Sequence, residues 1–189
     1  MNEHVEHLKK LAEQLGLDGI AGEVLNMPEF AVWSGSSKPH VHHYGKGGLA
    51  RHTREVVDLC LANQKIIAPQ VEESVLYLAA LFHDIGKVDD YKPTNEDMSA
   101  WTSTDHKRLI HHISKSALVW SMAASRWGGI IRRIEGEVTH CILSHHGQRD
   151  WGSPVSPGTR SAWILHLCDC MSARMDDNDR VEAERKIKW

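Results

Sequence analysis

At 189 residues, with 41% apolar and 25% charged side chains, the chain is sized for one folded soluble domain with a single core. A net charge of −3 excludes a general electrostatic grip on nucleic acid or on an anionic membrane, so a phosphate-bearing substrate has to be captured by local charge or by metal. No apolar run of about 18 residues is present, and the opening stretch MNEHVEHLKKLAEQL has no apolar segment of a secretory leader, so no membrane span is expected and the cytoplasm is the expected location.

Helical periodicity dominates and alternating β-branched runs are few, so an all-α bundle is expected. Residues 1–30 form an N-terminal helical segment. Within it Val5, Leu8, Leu11 and Leu15 mark an amphipathic helix over 2–16, closed by Gly16. Residues 34–48 (SGSSKPHVHHYGKGG) carry the glycine, serine and proline of a loop. A helix follows from Leu49 to Ile67 and stops before Pro69. The apolar run from Val71 to Ile85 reads as a helix buried on most sides, with Gly86 as its stop. Residues 88–105 are polar and aperiodic, a loop beside the site. Helices are expected at 107–126, 130–145 and 159–175, with a turn-rich connection at 147–158 and a charged tail over 176–189. A single domain over 1–189, with its core at about 39–175, accounts for this order.

Fourteen histidines recur in small groups along the chain. Cys60, Cys141, Cys168 and Cys170 form no CxxC pair, which fits a reducing compartment, and Cys168 and Cys170 lie in an apolar stretch suited to the core. The sharpest local signal is LFHDIGK over 81–87, where His83 and Asp84 close an apolar helix. A buried carboxylate needs a cation beside it. On the dipeptide alone, Asp84 paired with Lys87 and His83 capping the turn read as well as a metal site. The rest of the chain shifts that balance. His52 and His112 open helices, His145 and His146 close one, and Asp169 lies inside another, in HLCDCM. Ligand types on separate helices are how a bundle builds a metal centre in its core. An N/O set of this kind suits Mn, Fe, Co, Ni or Zn and not a cysteine-rich structural zinc site.

The order H…HD…H…HH…D resembles the HD superfamily of metal-dependent phosphohydrolases, and within it the YhaM-type 3′-to-5′ exoribonucleases. The stretches HHYGKGGLARHT (42–53), LFHDIGK (81–87), RLIHHI (108–113), HCILSHHG (140–147), WGSPV (151–155) and ILHLCDCMSA (164–173) carry the resemblance, from about Pro39 to Arg174. It implies that His52, His83, Asp84 and Asp169 bind one metal, and that Asp84 bridges to a second held by His112, His145 and His146. Two such ions activate water, neutralise phosphate and clamp the attacking and leaving oxygens. Asp84 and Lys87 are then the catalytic pair, with Lys87 on the phosphate or the leaving oxygen; the alternative for Lys87 is a solvated cation at a helix end. His42 and His43 match an HH pair expected at substrate, and Lys46, Arg51 and Trp151 are further candidates for substrate contact. His166 and His140 are candidates for orienting a ligand, or core histidines. His4, His7 and His106 read as surface residues, and Trp101 and Trp151 as loop aromatics near the mouth.

Three departures from the family pattern stand out. Some 40 residues before the HD core are too few for the OB domain of the YhaM-type enzymes, so a grip on long strands is not expected to carry over. Arg51 replaces an acid before the first histidine, and Cys170 and Ser172 replace acids near Asp169. The pocket is thereby less acidic, which suits an anionic substrate. The leading expectation is a two-metal phosphodiesterase acting on short RNA or DNA or on nucleic-acid 3′ ends, with manganese among the candidate metals. A nucleotide or cyclic-nucleotide phosphohydrolase is the alternative. An inactive regulatory HD module ranks below both, and a di-iron oxygenase is disfavoured by the lysine after HDIG. Self-association into a homo-oligomer is left open.

Overall fold

The computed structural model describes residues 2–186, with side chains through Asp176; residues 187–189 of the charged tail lie outside the described residues. The architecture is a helical bundle. A helix spans Glu3–Leu15 (α1), its first turn capped by the Asn2 side chain, which accepts from the His4 amide at 2.9 Å. Gly16, at φ 67°, ends it. Two shorter helices follow, Asp18–Leu25 (α2) and Pro28–Val32 (α3), so the segment 1–30 is three helices. Gly16 and the first-turn proline Pro28 divide them.

A long helix covers Gly48–Ile67 (α4), after the expected loop. The next, Glu73–Phe82 (α5), is buried from Val75 to Phe82, as its continuous apolar run requires. It packs against α1, α2 and α4, and Tyr77 Oη donates to the Leu8 carbonyl at 2.8 Å. α5 ends at Phe82, not Gly86. His83 through Gly86 form a turn, and a short helix, Lys87–Asp90 (α6), begins there.

Residues 88–105 are not a plain loop. Tyr91–Pro93 (β1) and Trp101–Ser103 (β2) pair antiparallel, Tyr91 opposite Ser103. Trp101 is buried against Trp33, rings edge-on at 5.1 Å, and is no mouth aromatic. The expected helix 107–126 is two, Asp105–Leu109 (α7) and His112–Ala124 (α8), split at Ile110 and His111. Ile130–Ser144 (α9) and Arg160–Lys186 (α10) complete the bundle, and α10 carries its helical backbone through most of the charged tail. One cluster of buried apolar side chains runs from Val5 to Cys168. Among the described residues no helix is long and apolar enough to cross a membrane.

Candidate metal centre

Three helices and two turns bring the candidate ligands together. His52 comes from the second turn of α4, and His83 and Asp84 from the turn after α5. His112 opens α8, His145 and His146 follow α9, and Asp169 lies within α10. Two close approaches make the convergence possible. A Cβ on Gly86 would stand 2.4 Å from the His112 carbonyl oxygen, so glycine lets the HDIG turn lie against the start of α8. Gly147, at φ 82°, turns the chain where a Cβ would stand 2.4 Å from the His166 ring.

The ligand atoms form two groups joined by one carboxylate. In the first, His52 Nε2 lies 3.1 Å from Asp169 Oδ1 and 3.3 Å from Asp84 Oδ2, and His83 Nε2 lies 3.4 Å from the same Asp84 oxygen. In the second, His112 Nε2 and His145 Nε2 face the other oxygen, Asp84 Oδ1, at 3.5 and 3.7 Å, and His146 Nε2 is 3.3 Å from His112 Nε2. Each of the five rings is anchored through its outer nitrogen. His83 Nδ1 donates to the Ala80 carbonyl, His145 Nδ1 to Ile142 and His146 Nδ1 to Trp151, each at 2.7 Å. His112 Nδ1 donates to Asp90 Oδ2 and His52 Nδ1 to Ser172 Oγ, both at 3.1 Å. With Nδ1 committed as the donor, each ring turns Nε2 inward, where its neutral form offers a lone pair.

Inward lone pairs cannot satisfy one another. His52 Nε2 and His83 Nε2 stand 3.3 Å apart, as do the Nε2 atoms of His112 and His146. Asp84 Oδ1 and His145 Nε2 are buried with no hydrogen-bond partner. Nitrogens about 2.0–2.1 Å from one tetrahedral ion are separated by a comparable distance. Orphaned acceptors on opposed imidazoles and a shared carboxylate therefore fit divalent metal, and the chemistry of the set is nitrogen and oxygen throughout.

Charge divides the two groups. Burial depresses His52, but the hydrogen bonds it donates to Asp169 and Asp84 outweigh it and raise the imidazole to about 9. Burial lowers His112 to about 3 and His146 to about 4, leaving both neutral at pH 7. Burial pushes the Asp84 carboxyl upward, yet Lys87 and His83 overcome it and hold the group well below the usual range. Lys87 is buried, with Nζ 2.6 Å from Asp84 Oδ2, so it is not a solvated helix-end cation. The Asp84–Lys87 pair and the His83 cap are both present within the same ligand cluster.

The HD domain model matches residues 49–174, which span every one of these ligands and most of the chain. The chain belongs to the HD-domain family. It is similar to the 3'-5' exoribonuclease YhaM of Bacillus subtilis (strain 168), 33% identical over 160 residues, which cover 81% of this chain and 46% of that protein. The 3'-5' exoribonuclease YhaM of Shouchella clausii (strain KSM-K16) is 34% identical over 146 residues, 74% of this chain and 42% of that protein. That of Bacillus pumilus (strain SAFR-032) is 34% identical over 157 residues, with 81% and 46% covered. The chain thus spans under half the length of these relatives. No solved structure matches it.

A cavity of about 360 Å³ opens over this HD centre, walled in part by His42, Lys87, Lys107, His111, Trp151 and Arg174. Of the expected substrate contacts, His42 and the exposed Trp151 reach it. His43 does not. It is buried at φ 55°, its Nε2 2.9 Å from Glu55 Oε2 and its amide donating to Asp176 Oδ2 at 2.7 Å. Arg51 is drawn to the same two acids, at 2.9 Å from Glu55 and 3.1 Å from Asp176, and with Lys46 it faces a separate groove. His166 Nδ1 donates to the His145 carbonyl at 2.8 Å, so it steadies the HH turn and not Asp169. His140 Nε2 accepts from the Gly158 amide at 2.9 Å, a loop anchor away from the ligands. Cys170 lines the cavity instead of packing in the core.

Sequence reasoning missed the residues behind the ligands. Asp90, fully buried, accepts from both the amide and Nδ1 of His112, and His106 Nδ1 donates to its other oxygen at 2.7 Å. His106 is therefore not a free surface residue. Ser172 passes the anchor of His52 onward by donating to Glu55 Oε2 at 2.9 Å. Only Ser172 carried a signal, as a position where an acid was expected.

Proposed function

We propose that this chain is a metal-dependent phosphohydrolase that holds two divalent transition-metal ions and cleaves phosphodiester bonds in short single-stranded RNA, working from a 3′ end. The reading rests on one observation: two groups of inward imidazole nitrogens share the two oxygens of Asp84. His52, His83, Asp84 and Asp169 would hold one ion, and Asp84, His112, His145 and His146 the other. Such a pair of ions supplies Lewis acidity and an activated water for in-line displacement at phosphorus.

The chain's own residues do the rest. Nδ1 anchors on all five histidines fix each ring, so binding does not have to order them. Lys87 keeps its proton, because Asp84 outweighs the burial that opposes it, and its ammonium lines the cavity. It offers a fixed positive charge to a phosphoryl oxygen or to the leaving oxygen. Lys107 and Arg174, on other walls, offer charge to neighbouring phosphates, and Trp151 an exposed indole to a base. RNA is preferred as the substrate on the strength of the relatives' names.

A second reading, hydrolysis of mononucleotides, is favoured by the cavity volume, which is at the lower end of small-molecule sites. The test is digestion of 3′-hydroxyl RNA, 3′-blocked RNA, DNA and a panel of mononucleotides and cyclic nucleotides by the manganese-loaded chain. A ladder shortening from the free 3′ end, absent on the blocked strand, is expected. Turnover of mononucleotides alone would move the function to the second reading. No turnover of any member, with metal bound, would sink both.

A further inference from the structure

His111 is outside the ligand set, yet the chain holds it under strain beside that set. Its φ of 70° and ψ of 144° lie next to a region of backbone space that is essentially reserved for glycine. The backbone bonds at this joint do not call for a side chain. The His111 amide closes α7 on the His106 carbonyl at 3.0 Å, and its carbonyl accepts from the Lys115 amide at 3.2 Å. Glycine would make both bonds without strain.

The imidazole is what distinguishes the position. It lies against the His112 ring, centroids 4.1 Å apart, and 6.0 Å from the His146 ring, and it lines the cavity. Among the described residues no hydrogen-bond partner for the ring is found within the protein, whereas all five ligand histidines have one through Nδ1. A strained backbone that aims an unpartnered donor into a cavity is a feature of ligand-contact residues.

We propose that His111 is a substrate-contact residue whose imidazole donates a hydrogen bond to a non-bridging oxygen of a phosphoryl group held beside His112 and His146. A neutral imidazole retains one N–H, so the contact does not depend on protonation. This reading rests on the phosphohydrolase proposal for where the phosphoryl group sits, and it is tested without turnover.

The test uses the full chain loaded with manganese and inorganic phosphate as the probe, with affinity read by calorimetry, thermal midpoint by scanning, and metal content by elemental analysis. His111→Gly is expected to raise the midpoint by relieving strain, keep the wild-type metal content, and weaken phosphate binding by about tenfold, the scale of one hydrogen bond to a charged group. His111→Ala, which keeps the strain and loses the ring, is expected to weaken phosphate binding equally without raising the midpoint. Unchanged phosphate affinity in both variants overturns the proposal, as does a wild-type chain that binds no phosphate. Loss of metal in either variant overturns it too, making His111 a ligand. A lower midpoint for His111→Gly removes the strain on which the argument stands. If wild-type chain cleaves no phosphodiester yet binds phosphate through His111, the hydrolase reading fails and this one survives.

Discussion

The two halves of the metal centre differ in charge although both are built from anchored imidazoles. The His52–His83 half sits between two carboxylates, which raise His52 to about 9 and have a buried lysine beside them. The His112–His145–His146 half sees one carboxylate oxygen, and burial keeps His112 and His146 neutral. A cation gains more from the first half, where fixed negative charge is concentrated in a buried site. An ion held in the second half, as proposed, would keep more of its positive charge for whatever enters the cavity. The anchors follow the same division. His112 is backed by the Asp90 carboxylate, whereas His52 reaches the Glu55 carboxylate through the hydroxyl of Ser172.

The most damaging way to break the comparison is Asp84→Ala, because among the described residues Asp84 alone faces both halves, one oxygen to each. Both sites lose a ligand at once, and the negative charge between two cations disappears while Lys87 is left without its partner. Phosphodiester hydrolysis is expected to fall below detection, with metal content reduced at both sites. Near-native turnover with both ions in place would end the two-metal reading.

Changing His145 and His146 together to alanine should remove the second half and spare the first. One metal per chain, a folded protein and a loss of about 10²–10³-fold or more in activity are expected, on the scale of removing electrostatic stabilisation from the reacting group. Elemental analysis beside circular dichroism checks it. Two ions retained in the double variant would mean that the second site is drawn from other residues.

These expectations could be written before any coordinates because ligand chemistry is local to a residue type. Histidine or aspartate at the end of an apolar helix is conspicuous, and the seven candidate ligands lie together in the fold. The supports were not legible for the opposite reason. Asp90 is one acid among several in KVDDY until the chain folds α6 against α8, and Glu55 is one charged residue on an exposed face of α4 until Ser172 arrives from 117 positions away. His43 misled because sequence cannot show that a residue at positive φ turns its ring away from the cavity and onto Glu55. The split between α7 and α8 was hidden by helical periodicity that runs through Ile110, and the strain at His111 with it.

The mildest expectation sharpens the contrast in charge. In protein stripped of metal by a chelator, the raised His52 imidazole holds a proton at all pH values below about 9. A metal entering the first half must displace that proton, so its apparent affinity should rise with pH by about tenfold per unit and flatten above about pH 9. The sign also fixes the stability of the stripped chain. A raised histidine stabilises the fold fully below its unfolded value of about 6.5, and that contribution is lost as pH rises through about 9. The second half should behave differently, since His112 and His146 are already neutral above about 4 and release nothing near pH 7. The His145, His146 double-alanine variant isolates the first half, and competition with a chromophoric chelator at several pH values between about 6.5 and 8.5 reads its slope. One proton released per metal in that variant, and a shallower dependence for the weaker site of the wild-type chain, are the expected results. A flat profile in the double variant would show that Asp84 and Asp169 do not hold a proton on His52, and His52 would then be neutral like His112 and His146.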